Sequence, residues 1–276
     1  MKLQTLADGF GFTEGPRWHD GKLWFSDFIQ RRVRTVDPAG KVEDIVFVPG
    51  QPSGLGFMPD GSLRIVSMLD RHLMKVEDGF IRSVANLSRH AVGLTNDMVM
   101  DSRGNAWIGS MGYDFYRERQ QPGTRSPILR VTPEGDVAIA ATGLCGPNGM
   151  ALIDGEQTLV VAETHACRLT AFDIGRDGLL TNRRIFAGLG ELPPDGICAN
   201  ADGDIWVAGL YKEKFVLVRK GGQVLATLPT PGRWAIAPAL GGKDGHTLFC
   251  STVTVKAPSD SRTGRARAAI ETVALD

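Results

Sequence analysis

A pattern that recurs six times along the 276 residues constrains this chain more than any other feature. In each copy a short apolar stretch leads through a glycine-containing turn, most often Asp-Gly, into a second run rich in β-branched and aromatic residues. The copies begin at Glu14, Ser53, Asn96, Asn148, Asp195 and, more loosely, Trp234. Strands and tight turns at such intervals are typical of radially repeated β-sheets. The sequence therefore predicts an all-β fold, a six-bladed β-propeller that occupies residues 1–276 as a single domain.

The two ends of the chain are expected to close the ring. The runs Leu3–Leu6 and Ile270–Leu275 both have strand character, and pairing them leaves no long free edge. The longest interval between copies contains the segment Met111–Pro127, directly after the second strand of the third copy. Long loops in a compact domain usually take part in function, for example as lids or binding loops. This segment is therefore predicted to form a lid over one mouth of the channel.

The composition argues against several classes of partner. The number of Lys and Arg residues equals the number of Asp and Glu residues, at 31 each. The protein therefore has no net positive charge to attract nucleic acid or anionic membranes. No signal-peptide core and no apolar run of membrane-spanning length occurs. The 4 cysteines lie far apart without a CxxC pair, which favours reduced thiols. We expect a cytoplasmic protein with a small-molecule partner and neither nucleic acid nor membrane; the sequence does not determine its oligomeric state.

Polar residues open most of the copies. Because equivalent positions of a propeller face one channel, Glu14, Asn96, Asn148 and Asp195 are expected to converge at one end of it. Two carboxylates and two amides offer oxygen donors, which suit a hard divalent cation. Asn or Asp before glycine is also an ordinary turn former, but turn propensity does not explain Glu14. One divalent cation is expected, Ca²⁺ first, with Mg²⁺, Mn²⁺ and Zn²⁺ as alternatives.

Four segments, FTEGPRW, TNDMVMD, GPNGMAL and PPDGICANADGDIWVA, resemble motifs of the gluconolactonase family, also called the senescence marker protein or regucalcin family. The resemblance covers nearly the whole chain. It implies a six-bladed propeller with one catalytic divalent cation, usually calcium, and hydrolysis of lactones. On matching positions it implies metal ligation by Glu14, Asn148 and Asp195, a substrate contact at Asn96, and Asp195 as general base. The residue types alone do not determine whether Asp195 or Glu14 is the base.

The sequence departs from this pattern near the third copy. Sugar-lactone members often carry arginine where this chain has Leu94, and glycine where it has Met98. Without that arginine, the chain lacks a bidentate hydrogen-bond donor at this position, which argues against a heavily hydroxylated sugar lactone as substrate. Further substrate-facing candidates are Tyr113 in the predicted lid, Trp234 in the sixth copy and His165 after the second strand of the fourth. A lone histidine there is also typical of a solvated loop.

The leading hypothesis is a metal-dependent lactonase that opens a cyclic ester, either a sugar-type or a less polar lactone, to a hydroxy acid. A phosphotriesterase at the same metal site is an alternative, because a cation polarises P=O as readily as C=O. A second alternative is a non-enzymatic calcium-binding propeller, since the fold alone does not settle activity. A serine nucleophile is not expected, because Ser110 lies in GSMG rather than in GxSxG.

Overall fold

The computed structural model describes residues 2–118, 125–257 and 259–275, without the side chains of residues 261 and 262. Across these ranges the strands form six antiparallel sheets of four strands each. Helical structure there is confined to a 3-10 turn at Thr164–Ala166 and to α1 at Asp260–Thr263. The prediction of an all-β, six-bladed propeller is confirmed.

Strand β1 (Gln4–Phe10) belongs to the last blade, and the next five blades each run outward from the channel in chain order. Blade 1 contains β2 (Thr13–His19), β3 (Lys22–Asp27), β4 (Arg32–Val36) and β5 (Val42–Phe47). Blade 2 contains β6 (Pro52–Phe57), β7 (Leu63–Ser67), β8 (His72–Glu77) and β9 (Phe80–Asn86). Blade 3 contains β10 (Thr95–Met100), β11 (Ala106–Ser110), β12 (Ser126–Val131) and β13 (Val137–Leu144).

The second half of the ring repeats the arrangement. Blade 4 contains β14 (Pro147–Ile153), β15 (Thr158–Glu163), β16 (Arg168–Ile174) and β17 (Leu180–Gly188). Blade 5 contains β18 (Pro194–Ala199), β19 (Ile205–Gly209), β20 (Lys214–Val218) and β21 (Val224–Pro229). Blade 6 contains β22 (Trp234–Gly241), β23 (Thr247–Thr254), β24 (Arg267–Ala274) and, outermost, β1.

Blade 6 closes the ring with strands from both ends of the chain. β1 pairs antiparallel with β24, with Gln4 opposite Thr272 and Asp8 opposite Ala269. This pairing covers the outer edge of β24 and confirms the predicted closure by the terminal strands.

Local sequence explains the strands and their turns. Asp20 and Gly21 join β2 to β3 with φ values of 48° and 72°, the left-handed pair that a two-residue hairpin turn requires. β11 and β19 are buried at every residue because neighbouring blades cover both of their faces. The outer strand β5 alternates between exposed and less exposed residues, as expected where one face meets water.

The hydrophobic core lies between blades rather than within any one of them. Val160 of blade 4 and Val207 of blade 5 belong to one buried cluster. Between blades 6 and 1, the Trp18 and Phe249 rings stack with centroids 5.1 Å apart. A Cβ at Gly241 would lie 2.4 Å from Cγ of Trp18, so this contact needs glycine. Each blade therefore depends on its neighbours for burial.

The predicted lid is described at both of its ends. β12 begins at Ser126, so the last two residues of the predicted segment belong to a strand instead of a loop. Met111 donates its backbone N–H to Leu94 O at 2.8 Å, and Leu94 donates to Tyr113 O at 3.2 Å. These bonds fasten the first part of the segment to the chain that enters β10. Residues 119–124 of the predicted lid lie outside the described residues.

Two further findings concern the predicted cellular setting. All four cysteines are free thiols, with Cys250 buried and the others partly buried. Across the described ranges, the structure has no helix with the length and apolarity needed to cross a bilayer.

Candidate active site

A cavity of about 410 Å³ opens at one end of the propeller channel. Its base is polar and its wall is mainly aromatic and aliphatic. The polar base contains the residues that open the repeats, Glu14, Asn96, Asn148 and Asp195. The structure thus brings together the four side chains for which the repeat positions predict convergence.

These side chains form a hydrogen-bonded row across five blades. The Ser53 hydroxyl lies 3.2 Å from Glu14 Oε2 and 3.0 Å from Asn96 Oδ1. Asn96 Nδ2 donates to Asn148 Oδ1 at 3.0 Å, and Asn148 Nδ2 donates to Asp195 Oδ1 at 2.5 Å. The row therefore joins the two carboxylates, Glu14 and Asp195, through a hydroxyl and two amides.

Each member of the row is the second residue of an innermost strand, so it lies within the strand and not before it. Directly after this region every innermost strand carries one extra residue relative to its partner, as between Thr95 and Met98 of β10. Such a bulge turns the side chain away from the regular pleat. In blade 6 the equivalent second residue is Ala235, and Trp234 stands one residue earlier.

The two carboxylates resist ionisation in this setting. Burial, followed by repulsion from Asp97, raises the pKa of Glu14 from 4.5 to about 7, against a smaller opposing effect of the Ser53 hydroxyl. Burial and then repulsion from Glu14 raise the pKa of Asp195 well above its usual value. Among the described residues, neither carboxylate forms an ion pair with a basic side chain. Both groups are therefore ready to exchange a proton for a cation.

A third carboxylate near the row is neutralised. Asp97 accepts a hydrogen bond from Arg17 Nη2 at 2.9 Å, and the same guanidinium donates to the backbone oxygen of Met98. This pair connects β2 of blade 1 to β10 of blade 3. At the position of Asp97, blades 1, 2, 4 and 5 carry glycine and blade 6 carries Ile236. No local pattern in the sequence relates these two residues, since they meet only in the folded ring.

The repeat pattern also did not predict the apolar wall of the cavity. Five of its members share one repeat position, the first residue after the second strand of a blade: Phe28, Met68, Met111, Thr164 and Leu210. Four of these five are apolar, and an apolar residue after a buried strand looks like core in a sequence. The shared repeat position was the signal that identifies them as cavity-lining.

The other predicted substrate-facing residues divide into two groups. Tyr113, His165 and Trp234 line the cavity. Partial desolvation lowers the pKa of His165, whose ring centroid lies 6.0 Å from that of Tyr113. Leu94 and Met98 do not line the cavity: both are buried, Leu94 in the cluster behind the wall and Met98 between blades 2 and 3.

Two buried carboxylates outside the cavity hold the segments that enter the innermost strands. Asp27, the last residue of β3, accepts hydrogen bonds from the backbone N–H groups of Gly11 and Phe12 at 2.9 and 3.2 Å. Glu163, the last residue of β15, accepts one from Cys145 N at 2.7 Å. Each therefore fixes the approach to a strand whose second residue belongs to the polar row.

The chemistry of the row fits a hard cation. Carboxylate and amide oxygens are the donors that Ca²⁺ and Mg²⁺ prefer, and the two uncompensated carboxylates supply the charge. Within the described residues, no three His, Cys, Asp or Glu side chains cluster as metal ligands. A cation held here would therefore depend on an amide oxygen, with Asn148, which lies between Asn96 and Asp195, as the central donor.

Comparison with known proteins identifies relatives along most of the chain. The family described as the SMP-30/gluconolactonase/LRE-like region matches residues 12–254. Pentonolactonase XacC of Haloferax volcanii is 26% identical over 245 residues, which cover 87% of this chain and 80% of that protein. Gluconolactonase of Zymomonas mobilis is 24% identical over 290 residues, covering 90% of this chain and 78% of that protein.

Solved structures show the same architecture. XC5397 from Xanthomonas campestris, described as a gluconolactonase, superposes with a TM-score of 0.80 at 25% identity, covering 99% of this chain and 89% of that one. A calcium-binding protein from Agrobacterium tumefaciens, regucalcin, gives a TM-score of 0.78 at 23% identity, covering 95% and 91%. The second likeness concerns the fold alone.

Proposed function

The chain belongs to the SMP-30/gluconolactonase/LRE-like family, and from this premise we propose that it is a divalent-metal-dependent lactonase. Relatives along most of its length are a pentonolactonase, a 6-deoxy-6-sulfogluconolactonase and a gluconolactonase. The proposed partner is a small lactone in the cytoplasm, with neither nucleic acid nor membrane involved.

The observation that carries the proposal is the hydrogen-bonded row at the base of the cavity. Two carboxylates with raised pKa values, Glu14 and Asp195, are linked through Ser53, Asn96 and Asn148. A binding surface on the rim of a propeller has no need for uncompensated carboxylates in its channel. A metal-assisted hydrolase needs both a cation site and a proton acceptor.

We propose that Glu14, Asn148 and Asp195 hold the cation, with Ca²⁺ favoured because regucalcins are among the relatives. Asn148 directs its Nδ2 toward Asp195, so rotation of its amide group is needed to present the oxygen instead. When bound, the cation would polarise the lactone carbonyl and stabilise the developing oxyanion.

In this proposal, side chains of the protein carry out the proton transfer. Asp195 accepts a proton from the attacking water as the water oxygen bonds to the carbonyl carbon. When the ring C–O bond breaks, the proton passes to the departing ring oxygen, which gives a hydroxy acid. Asn96, at the cavity surface between Ser53 and Asn148, contacts the substrate beside the carbonyl. Glu14, with its pKa raised to about 7, is the alternative base.

The test is hydrolysis of a lactone panel after chelation and after adding back Ca²⁺, Mg²⁺, Mn²⁺ or Zn²⁺ separately. We expect activity to disappear on chelation and to return with one cation. Asp195→Asn is expected to lower kcat by about 10²–10⁴-fold while the protein stays folded. Full activity in Asp195→Asn would contradict the role of this residue.

Two outcomes of the same experiment favour the alternative functions. Turnover of phosphotriesters but of no lactone indicates a phosphotriesterase. Cation binding by calorimetry without turnover of either class indicates a calcium-binding propeller.

A further inference from the structure

The wall of the cavity is a continuous apolar surface. Phe12, Phe28 and Met68 belong to one buried cluster, and Met111, Phe115, Leu210 and Trp234 pack against that cluster. The rings of Phe12 and Phe28 lie 4.7 Å apart. All seven side chains line the cavity, as does Glu14.

Among the residues that the structure describes, the lining carries no lysine or arginine, and partial burial lowers the pKa of His165, which does line it. Its acidic members are Glu14 and Asp195 at the base and Glu118 at the rim. Within the described lining, an anionic substituent on a substrate, such as a phosphate or sulfonate, would therefore meet no lysine or arginine. Burying such a charge unpaired is strongly unfavourable.

Some of the polar side chains that substrate hydroxyl groups would meet are already engaged within the protein. Asn96 already donates to Asn148, and Thr164 donates its hydroxyl to Pro194 O at 2.7 Å. A polyhydroxylated ring would place several hydroxyls against aromatic and aliphatic side chains, where each unpaired hydroxyl costs binding free energy.

The cavity is larger than a bare lactone ring needs. Its volume of about 410 Å³ falls within the range of sites that bury a whole organic ligand, about 300–1,000 Å³. Space therefore remains for a substituent beside the reacting ester, and that space is bounded by the apolar wall.

We propose that the preferred substrates are lactones that carry an apolar alkyl or aryl substituent, which packs on this wall while the ester group meets the polar row. The inference rests on the proposed lactonase activity and adds the substrate class. It separates this chain from relatives named for pentonolactone, gluconolactone and sulfogluconolactone substrates.

The first test compares kcat/KM for three δ-lactones with the same ring: unsubstituted, phenyl- or hexyl-substituted, and polyhydroxylated. We expect the apolar-substituted lactone to exceed the polyhydroxylated one by about 10–200-fold, since each buried apolar group favours binding and each unpaired hydroxyl opposes it. Preference for the polyhydroxylated lactone overturns the inference and leaves the lactonase proposal standing. Absence of turnover on every lactone, with any cation, overturns both.

A pair of matched variants tests the wall itself. Met111→Gln replaces a wall side chain with a polar one of similar size. Met58→Gln makes the same change at another partly buried methionine, in the turn between β6 and β7 at the far end of the innermost strand. We expect Met111→Gln to lower the ratio of kcat/KM for apolar-substituted over unsubstituted lactone by about tenfold, mainly through KM. Met58→Gln should keep the wild-type ratio, and equal ratios in all three proteins overturn the inference.

Binding without turnover gives an independent readout. Cyclic amides of the same ring size keep the carbonyl but hydrolyse far more slowly than the esters. By calorimetry, the phenyl-substituted lactam is expected to bind more tightly than the polyhydroxylated lactam, with a negative heat-capacity change that marks apolar burial. Equal or tighter binding of the polyhydroxylated lactam overturns the inference.

Discussion

At the scale of single residues, Glu14 supports the proposed cation binding but lowers the stability of the metal-free protein as pH rises. Its raised pKa means that the folded, metal-free protein keeps a proton that the unfolded chain releases near pH 4.5. As pH rises from 4.5 through about 7, the free energy of unfolding therefore falls. A divalent cation reverses this penalty, because it stabilises the ionised carboxylates.

The first prediction concerns Glu14→Gln, which removes the ionisation and one proposed ligand. In chelated protein we expect the variant to be more stable than wild type at pH 8, by about 2 kcal/mol, and much closer to wild type at pH 5. Its cation affinity should fall. Urea unfolding at both pH values and calorimetric titration measure these effects. Glu118→Gln, at the exposed rim, is the control, and an unchanged pH profile in Glu14→Gln would contradict the assignment.

The second prediction concerns Glu163, a residue outside the cavity. Its side chain accepts hydrogen bonds from Cys145 N and Thr170 Oγ1 and pairs with Arg168 and Arg183. Glu163→Gln should lower the free energy of unfolding by about 2–3 kcal/mol, because both guanidiniums lose their buried counter-charge. It should also weaken cation binding by about tenfold, because the segment that leads to Asn148 loses its anchor.

The control for Glu163→Gln is Glu43→Gln. Glu43 also pairs with two basic side chains, Lys22 and Lys41, but at the exposed edge of blade 1. Screening by water makes such surface pairs weak, so this variant should keep the Tm and cation affinity of wild type. Wild-type cation affinity in Glu163→Gln would contradict a positioning role and leave only a structural one.

Repeat positions predicted the polar row but not its surroundings. Glu14 and Asp195 stand out in the sequence because carboxylates are uncommon at the start of a buried strand. Phe28 and Leu210 occupy an equally regular position, yet their chemistry does not differ from that of core residues. Arg17 and Asp97 lie 80 positions apart on two blades, and no local pattern relates them.

At the scale of elements, the six innermost strands combine regular pairing with a shared irregularity. In β2, β10, β14 and β18 the second residue, which precedes the bulge, lines the cavity, while the remainder of the strand pairs normally. The sequence predicted the second strand of each blade, such as β11 and β19, because it is a largely apolar run after a recognisable turn. The outer strands, such as β5 and β21, alternate and include charged residues, so their patterns do not distinguish them from loops.

The third prediction concerns the link between β2 and β10. Arg17→Met leaves Asp97 as a buried carboxylate without a counter-charge, near Glu14 and Asp195. We expect it to lower the free energy of unfolding by about 3 kcal/mol. The double variant Arg17→Met/Asp97→Asn should recover at least half of that loss, since the uncompensated charge is then absent.

Urea unfolding of wild type, both single variants and the double variant provides the double-mutant cycle for this link. Additive effects of the two substitutions would show that Arg17 and Asp97 do not couple, which would contradict the proposed connection across the channel.

At the scale of the whole molecule, stability depends on closing the ring. Every buried cluster draws on neighbouring blades, and the last interface joins blade 6 to blade 1 through Trp18 and Phe249. Blade 6 is complete only when β1 covers β24. The sequence could predict this closure because both terminal runs have strand character and the repeat otherwise leaves blade 6 one strand short.

The fourth prediction follows from that dependence. Deleting residues 2–10 removes β1, exposes the edge of β24 and takes Phe10 out of the buried cluster behind the cavity wall. Loss of one large buried aromatic side chain alone costs about 3–5 kcal/mol, so we expect Tm to fall by about 10 °C or more. The exposed edge should also promote self-association. Deleting only Lys2, which is exposed and precedes β1, should leave both properties near wild type. Calorimetry and size-exclusion chromatography distinguish the two truncations, and a monomeric, equally stable protein without β1 would show that the ring does not need its terminal closure.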